Sequence, residues 1–256
     1  MKKTHIDLNS DMGEGFGPWK MGDDEGILDI VSSANVACGF HAGDPEIMAR
    51  VFAEAGKRGV AVGAHPGYAD LWGFGRRAVP MGTGEIERLV AYQVGAAMAM
   101  SAYAGNPISY VKVHGALGNL SHVDDGVAKA IAVAIKAVEP SLICVTYAGA
   151  RMHRIAQDLG LQTKGEVFAD RAYTEEGLLV DRKLPGAVLH DTEAACARLL
   201  RMVQAGGVET LSGRILNVEI DTICLHSDTP GAVRMAAGIK RALEDAGITI
   251  KPFSRA

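Results

Sequence analysis

The chain has 256 residues, of which 48% are hydrophobic, 22% charged and 5% aromatic. That apolar share excludes a disordered or low-complexity chain, and the length accommodates one α/β barrel or two smaller domains. With 26 basic against 30 acidic residues, a formal net charge of −4 and no basic stripe, a nucleic-acid partner is disfavoured. Cys38, Cys144, Cys196 and Cys224 lie far apart and form no C-x-x-C, a pattern of reduced thiols in a cytoplasmic protein. No apolar segment follows the first lysines, so no signal peptide is read. The uncharged stretch Leu89 to Val111 contains Gln93 and Gly95 and breaks at Gly105-Asn106-Pro107, which reads as helix, turn and strand and not as a membrane span.

In chain order, the apolar runs predict strands at His5–Asn9, Ser33–Gly39, Val60–His65, Tyr110–His114, Ile143–Tyr147, Glu166–Asp170 and Thr222–His226. Helices are predicted between them. The first opens at Asp44-Pro45-Glu46, an Asp cap with Pro at the first helical position, and reaches Lys57. The others are Gly84–Ala104, Asp124–Val138, Gly149–Leu159, Asp191–Ala205 and Pro230–Ala246, with Gly59, Gly105, Gly160, Gly206 and Gly247 as stop signals. Strand–helix alternation implies a parallel sheet. Seven strands without a linker suggest one closed or nearly closed barrel. An open doubly wound sheet is the alternative, but Gly13-Glu14-Gly15-Phe16-Gly17 lacks the dinucleotide spacing, and no P-loop occurs.

The histidines carry the functional signal. His41, His65, His114 and His226 each stand at or just after the end of a predicted strand, among small residues or proline. Parallel α/β folds gather these ends on one face, where active sites lie. A single such histidine is more often structural; four in the same context point to one crater. Strand parity adds His5, Asp7 and Asn9 on one face of the first strand, with Asp11 following, and Lys112 with His114 on the fourth. An interior Asp7 and Lys112 must either pair with each other or do chemistry. Arg76 and Arg77, beside Gly73 and Gly75, suit a mobile anion clamp or a solvated turn. Asp170 and Arg171 suit a substrate contact or a surface salt bridge. Cys38 and Cys224 read as inert buried thiols.

Several of these segments together resemble the LamB/YcsF family. They are Asp7-Leu8-Asn9-Ser10-Asp11-Met12-Gly13-Glu14; Ala34-Asn35-Val36-Ala37-Cys38-Gly39-Phe40-His41-Ala42-Gly43-Asp44; Gly63-Ala64-His65-Pro66; Phe74-Gly75-Arg76; Val111-Lys112 with His114-Gly115; Glu166-Val167-Phe168-Ala169-Asp170-Arg171; and Cys224-Leu225-His226. The sequence departs from the family pattern at Val113, Gly118 and Ser227. The resemblance implies a distorted seven-stranded (β/α) barrel like that of the glycoside hydrolase/deacetylase fold, as a single domain over residues 1–256. It implies the role of the A component of the ATP-dependent 5-oxoprolinase, which cleaves 5-oxoproline to L-glutamate. ATP, accompanied by Mg, is then the co-substrate, and the B and C components of the same enzyme are the partners. The catalytic candidates are Asp7, Asn9, Asp11, His41, His65, Lys112, His114 and His226. Asp7 or Asp11 would work with His114 or His226 as base and acid, and Arg76, Arg77, Asp170 and Arg171 are candidates to bind substrate or phosphate. Two rivals stand beside this: a stand-alone deacetylase or amidohydrolase holding a divalent metal on its Asp and His side chains, and a non-catalytic scaffold for the B and C components.

Overall fold

The computed structural model describes residues 3–189, 191–225 and 231–254. Its strands are β1 (His5–Met12), β2 (Ser33–Ala37), β3 (Ala61–His65), β4 (Tyr110–Lys112), β5 (Ile143–Tyr147), β6 (Thr163–Phe168), β7 (Gly207–Glu209), β8 (Ile215–Asn217), β9 (Thr222–Leu225) and β10 (Thr249–Ile250). The helices are α1 (Asp24–Leu28), α2 (Pro45–Lys57), α3 (Thr83–Tyr103), α4 (Gly115–Ser121), α5 (Asp125–Val138), α6 (Arg151–Asp158), α7 (Thr192–Ala205) and α8 (Ala232–Asp245). Strands β1 to β6 pair in order, all parallel, and β9 closes the ring between β6 and β1. The result is the seven-stranded closed barrel expected from the alternation. β10 adds to the start of β1, placing Thr249 opposite His5, and β7 with β8 form a separate antiparallel hairpin.

Local chemistry explains the helix ends. The Asp44 side chain accepts from the Ile47 N–H at 2.9 Å with Pro45 at the first helical position, and Asp124 and Asp191 cap α5 and α7 in the same way. Gly206, with φ of 68°, ends α7 in the left-handed conformation. The predicted elements omitted α1, α4, β7, β8 and β10. Each is short, with no long apolar period to reveal it. Three strands end earlier than predicted: β2 stops at Ala37, β4 at Lys112 and β6 at Phe168. The chain turns out of β2 through Gly39, whose N–H bonds the Ala42 carbonyl. His114 caps α4, and its N–H bonds the Pro66 carbonyl.

The outer faces of the barrel strands are apolar, as expected beneath covering helices. Outward-facing Ile6, Leu8, Val36, Val62, Ala64, Val111, Val167 and Ile223 are buried in the main apolar core beneath the helices. The interior is largely polar. Its apolar plug is Tyr110, Ile143 and Val145, against which Phe253 packs. Gly63 makes room for this plug, because a Cβ there would stand 2.3 Å from the Tyr110 ring. Among the described residues no helix is long and apolar enough to cross a membrane.

Candidate active site

Inside the barrel, successive inward positions of β1 form tiers. Asp7 is the lowest. It accepts from Ser32 Oγ at 2.7 Å and Ser33 Oγ at 2.6 Å, and also from Thr222 Oγ1. Burial raises its pKa to about 6, although the hydroxyls from Ser33, Thr222 and Ser32 pull the other way. One tier up, Asn9 donates to Glu166 Oε1 at 3.0 Å and to Thr222 Oγ1 at 2.7 Å. Asn35, on β2, donates to Asn9 Oδ1 at 2.7 Å and Asp11 Oδ1 at 2.9 Å, and the Tyr110 hydroxyl donates to Asn35 at 2.8 Å.

Lys112 stands at the centre of this column. Its Nζ lies 2.9 Å from Asp11 Oδ1, 2.8 Å from Glu166 Oε1, 3.2 Å from Asn9 Oδ1 and 3.0 Å from Cys224 Sγ. Burial opposes its charge, but the carboxylates of Asp11 and Glu166 outweigh that and hold its pKa well above the ordinary lysine value. Burial pushes the Cys224 thiol far up, so at neutral pH it is a protonated, uncharged neighbour of the ammonium. The interior ion pair therefore joins Lys112 to Asp11 and Glu166. The expected alternative pairing of Lys112 with Asp7 is not made: Asp7 has its own hydroxyl partners two residues below Asn9, a step of about 7 Å along the strand.

Above Asp11 the barrel opens onto three imidazoles. Of the four strand-end histidines, His65 does end its strand. His41 lies in the β2–α2 loop, His114 caps α4, and His226 lies outside the described residues. His65 Nδ1 donates to the Lys112 carbonyl at 2.7 Å, and His114 Nε2 donates to the Phe74 carbonyl at 2.8 Å. Their other nitrogens, His65 Nε2 and His114 Nδ1, face each other at 3.0 Å, and Asp11 Oδ2 stands 3.3 Å from His65 Nε2. His41 stacks flat on His114, with ring centroids 3.8 Å apart. Glu14 Oε1 lies 3.7 Å from His114 Nδ1 and 3.8 Å from His41 Nε2. Burial, with the neighbouring imidazoles, lowers His41 well below the ordinary histidine value and His114 to about 3, so both are neutral at pH 7.

The β3–α3 loop shapes this mouth. Phe74 has φ of 53°, a conformation that side chains avoid, and its carbonyl is the acceptor for His114. Gly67 and Gly75 lie flat against the rings, since a Cβ on either would come within 2.8 Å of His41. Gln93 of α3, fully buried, fixes Gly67 by accepting its N–H at 3.0 Å and donating to its carbonyl at 2.8 Å.

The remaining candidates divide. The Arg76 guanidinium lies over the Phe74 ring at 4.9 Å, on the rim. Arg77 is paired with Asp70 of its own loop. Arg171 is buried and donates to the carbonyls of Val180 at 2.6 Å and Ala187 at 3.4 Å, tying down the segment that follows β6. Asp170 is half-buried, and its carbonyl receives the Leu189 N–H. The structure thus brings together Asn9, Asp11, His41, His65, Lys112 and His114, places Asp7 beneath them, and assigns Arg77 and Arg171 to loop structure. Sequence reasoning overlooked Glu14, Asn35, Glu166 and Gln93 as site residues. Parity marks Asn35, two residues after inward Ser33, and Glu166 lies at its predicted strand's start. Gln93 left no signal, because its role depends on a loop packed against a helix.

The architecture is that of a parallel α/β barrel with a charged interior column and a histidine-lined mouth at the C-terminal strand ends, the arrangement of a barrel enzyme. The chain matches the LamB/YcsF family over residues 6–256 and belongs to it. A relative from Azorhizobium caulinodans, named as the A component of 5-oxoprolinase, is 56% identical over 249 residues, covering 97% of this chain and 98% of its own. Another of the same name from Gluconobacter oxydans is 54% identical over 254 residues, covering 99% and 100%. The crystal structure of a lactam utilization protein from Thermus thermophilus superposes with a TM-score of 0.92 at 42% identity, covering 97% of this chain and all of that one.

Proposed function

We propose that the chain is the A component of an ATP-dependent 5-oxoprolinase that opens the lactam 5-oxoproline to L-glutamate as ATP becomes ADP and phosphate. Full-length similarity to relatives of that name supports the reaction, and the continuous polar line Glu166–Lys112–Asp11–His65–His114, each link 2.8–3.3 Å, supports the site. A five-membered lactam is an unactivated amide. Transfer of the ATP γ-phosphoryl group to its oxygen makes the ring carbon electrophilic. Water then adds, the C–N bond breaks and the amine takes a proton, giving a γ-acyl phosphate. A second water releases phosphate and glutamate. This sequence needs groups that activate water and groups that stabilise anions. Asp11 is the water-activating group in this proposal, and the buried imidazoles line the mouth beside it. The Lys112 ammonium, fixed between two carboxylates, holds Asp11 in place at the foot of the mouth. Arg76 on the rim meets the substrate carboxylate or the phosphoryl group.

Shielding a phosphorylated lactam from bulk water needs a closed site. The B and C components would supply closure and a nucleotide site, since this sequence has no P-loop. The test is glutamate formed per ADP by the chain alone and after adding the B and C components. Negligible cleavage alone and ATP-dependent cleavage in the mixture are expected. Rapid ATP-independent cleavage by the lone chain would overturn the assignment in favour of a stand-alone amidohydrolase.

A further inference from the structure

We infer that Glu14, His41, His65 and His114 form a binding site for one divalent transition-metal ion of the imidazole-preferring kind, such as Zn²⁺ or Co²⁺. One donor atom from each residue lies within 4.8 Å of all the others, and all four side chains are buried. Three independent features point to a cation. The first is tautomer control. His65 Nδ1–H and His114 Nε2–H are both spent on backbone carbonyls. This aims the second nitrogens, His65 Nε2 and His114 Nδ1, at each other across 3.0 Å. Histidines that ligate metals are held in this way through their second nitrogen. The second is His41, which is fully buried with neither ring nitrogen in a hydrogen bond. A buried nitrogen in that position carries a desolvation penalty that a metal bond would remove. The third is spacing. Four ligands about 2.0–2.1 Å from a tetrahedral zinc stand about 3.3 Å apart. The separations His65 Nε2–His114 Nδ1 of 3.0 Å, Glu14–His114 of 3.7 Å and Glu14–His41 of 3.8 Å bracket that value.

A proton shared by His65 and His114, with Asp11 as counter-ion at 3.3 Å from His65, explains the close pair but not His41. The donor set also argues against the Mg²⁺ that accompanies ATP, which takes oxygen ligands and water. When bound, the ion would supply a Lewis acid at the mouth, next to Asp11.

The inference does not depend on the substrate, because the test reads metal binding by the chain alone. The full chain, treated with chelator and dialysed, is titrated with Zn²⁺ by calorimetry and with Co²⁺ by visible absorption. One equivalent per chain is expected, with an intense low-symmetry Co²⁺ spectrum, and millimolar Mg²⁺ should not displace it. Glu14→Gln, His65→Gln and His114→Gln should each weaken Zn²⁺ binding at least 10-fold, whereas His122→Gln, which alters a buried histidine outside the cluster, should bind as the parent does. Circular dichroism of the metal-free variants establishes that they are folded, and the parent titration needs no variant. No stoichiometric binding by the parent, equal binding of Mg²⁺, or unchanged binding in the folded cluster variants would overturn the inference.

Discussion

Replacing Lys112 by methionine tests the interior column directly. Methionine keeps most of the side chain's length and volume and removes the charge. The ammonium is 2.9 Å from Asp11 and 2.8 Å from Glu166, and the Glu166 side chain is only 1% exposed. Without it, two carboxylates face each other in the barrel with no compensating cation. Breaking a buried pair from one side costs about 3–5 kcal/mol. A domain of this size shifts by about 2–4 °C per kcal/mol, so the melting temperature should fall by roughly 6–20 °C. Native stabilities of about 5–15 kcal/mol leave most of that range survivable. The deficit should shrink toward about pH 4.5, where carboxylates begin to take protons. Lys112→Met/Glu166→Gln removes one of the two stranded charges and their mutual repulsion, keeps the acceptor for Asn9, and should recover more than half of the loss. Thermal melts of both variants at pH 5 and pH 8 are the assay. A single variant melting within about 2 °C of the parent, or a double variant no better than the single, would refute the reasoning.

Three further outcomes are expected. Asp7→Asn should gain stability relative to the parent as pH rises. The folded protein keeps the Asp7 proton up to about pH 6, while the unfolded chain releases it near 3.8, so the parent's stabilising contribution is present below 3.8 and is lost through pH 6. The difference approaches about 3 kcal/mol by urea denaturation at pH 4 and pH 7, and a gap constant across that range would contradict the sign. Arg76→Ala should raise KM for 5-oxoproline or ATP in the reconstituted complex several-fold. Arg77→Ala should leave KM and stability close to the parent's, because its partner Asp70 is a loop neighbour and the arginine is exposed; equal kinetic effects would remove Arg76 from the rim. Gly75→Ala has φ of 61° and puts a Cβ 2.8 Å from His41 and 2.9 Å from His114. It should lower kcat at least 10-fold in a protein that still folds, and parent-like kcat would show that the ring stack tolerates displacement.

The barrel was legible because its signals are local. Aspartate caps, glycine stops and apolar runs repeat along the chain, and seven strands without a linker leave few ways to bury their outer faces. Strand parity placed Asn9 and Lys112 inside the barrel, and it would have placed Asn35 there as well. Parity gives a face but not a depth. Asp7 shares the inner face with Asn9, yet lies below it among Ser32, Ser33 and Thr222. Nor does it extend past a strand's end, where His41 and His114 reach the mouth through loops. Which of two adjacent arginines meets the site depends on how the loop after β3 turns at Phe74 and Gly75, and nothing in the alternation of apolar residues encodes that turn.

The same loop connects stability to function. Phe74 adopts a conformation that costs about 1–3 kcal/mol for a residue with a side chain, and the position is not relieved by glycine. Its carbonyl fixes the His114 tautomer, and its ring meets His41 and His114 edge-on at 5.8 and 5.2 Å. The cost is met by packing elsewhere: Gln93 holds Gly67 to α3, and the Ala116 N–H holds the Gly75 carbonyl to α4. The rigid barrel therefore sets the charged floor of the site, through Lys112, Asp11 and Glu166. A strained loop clamped by two helices sets its roof. A change in the floor should appear first in stability, as for Lys112→Met. A change in the roof should appear first in turnover, as for Gly75→Ala, because only the imidazole geometry moves while the apolar core between barrel and helices stays intact.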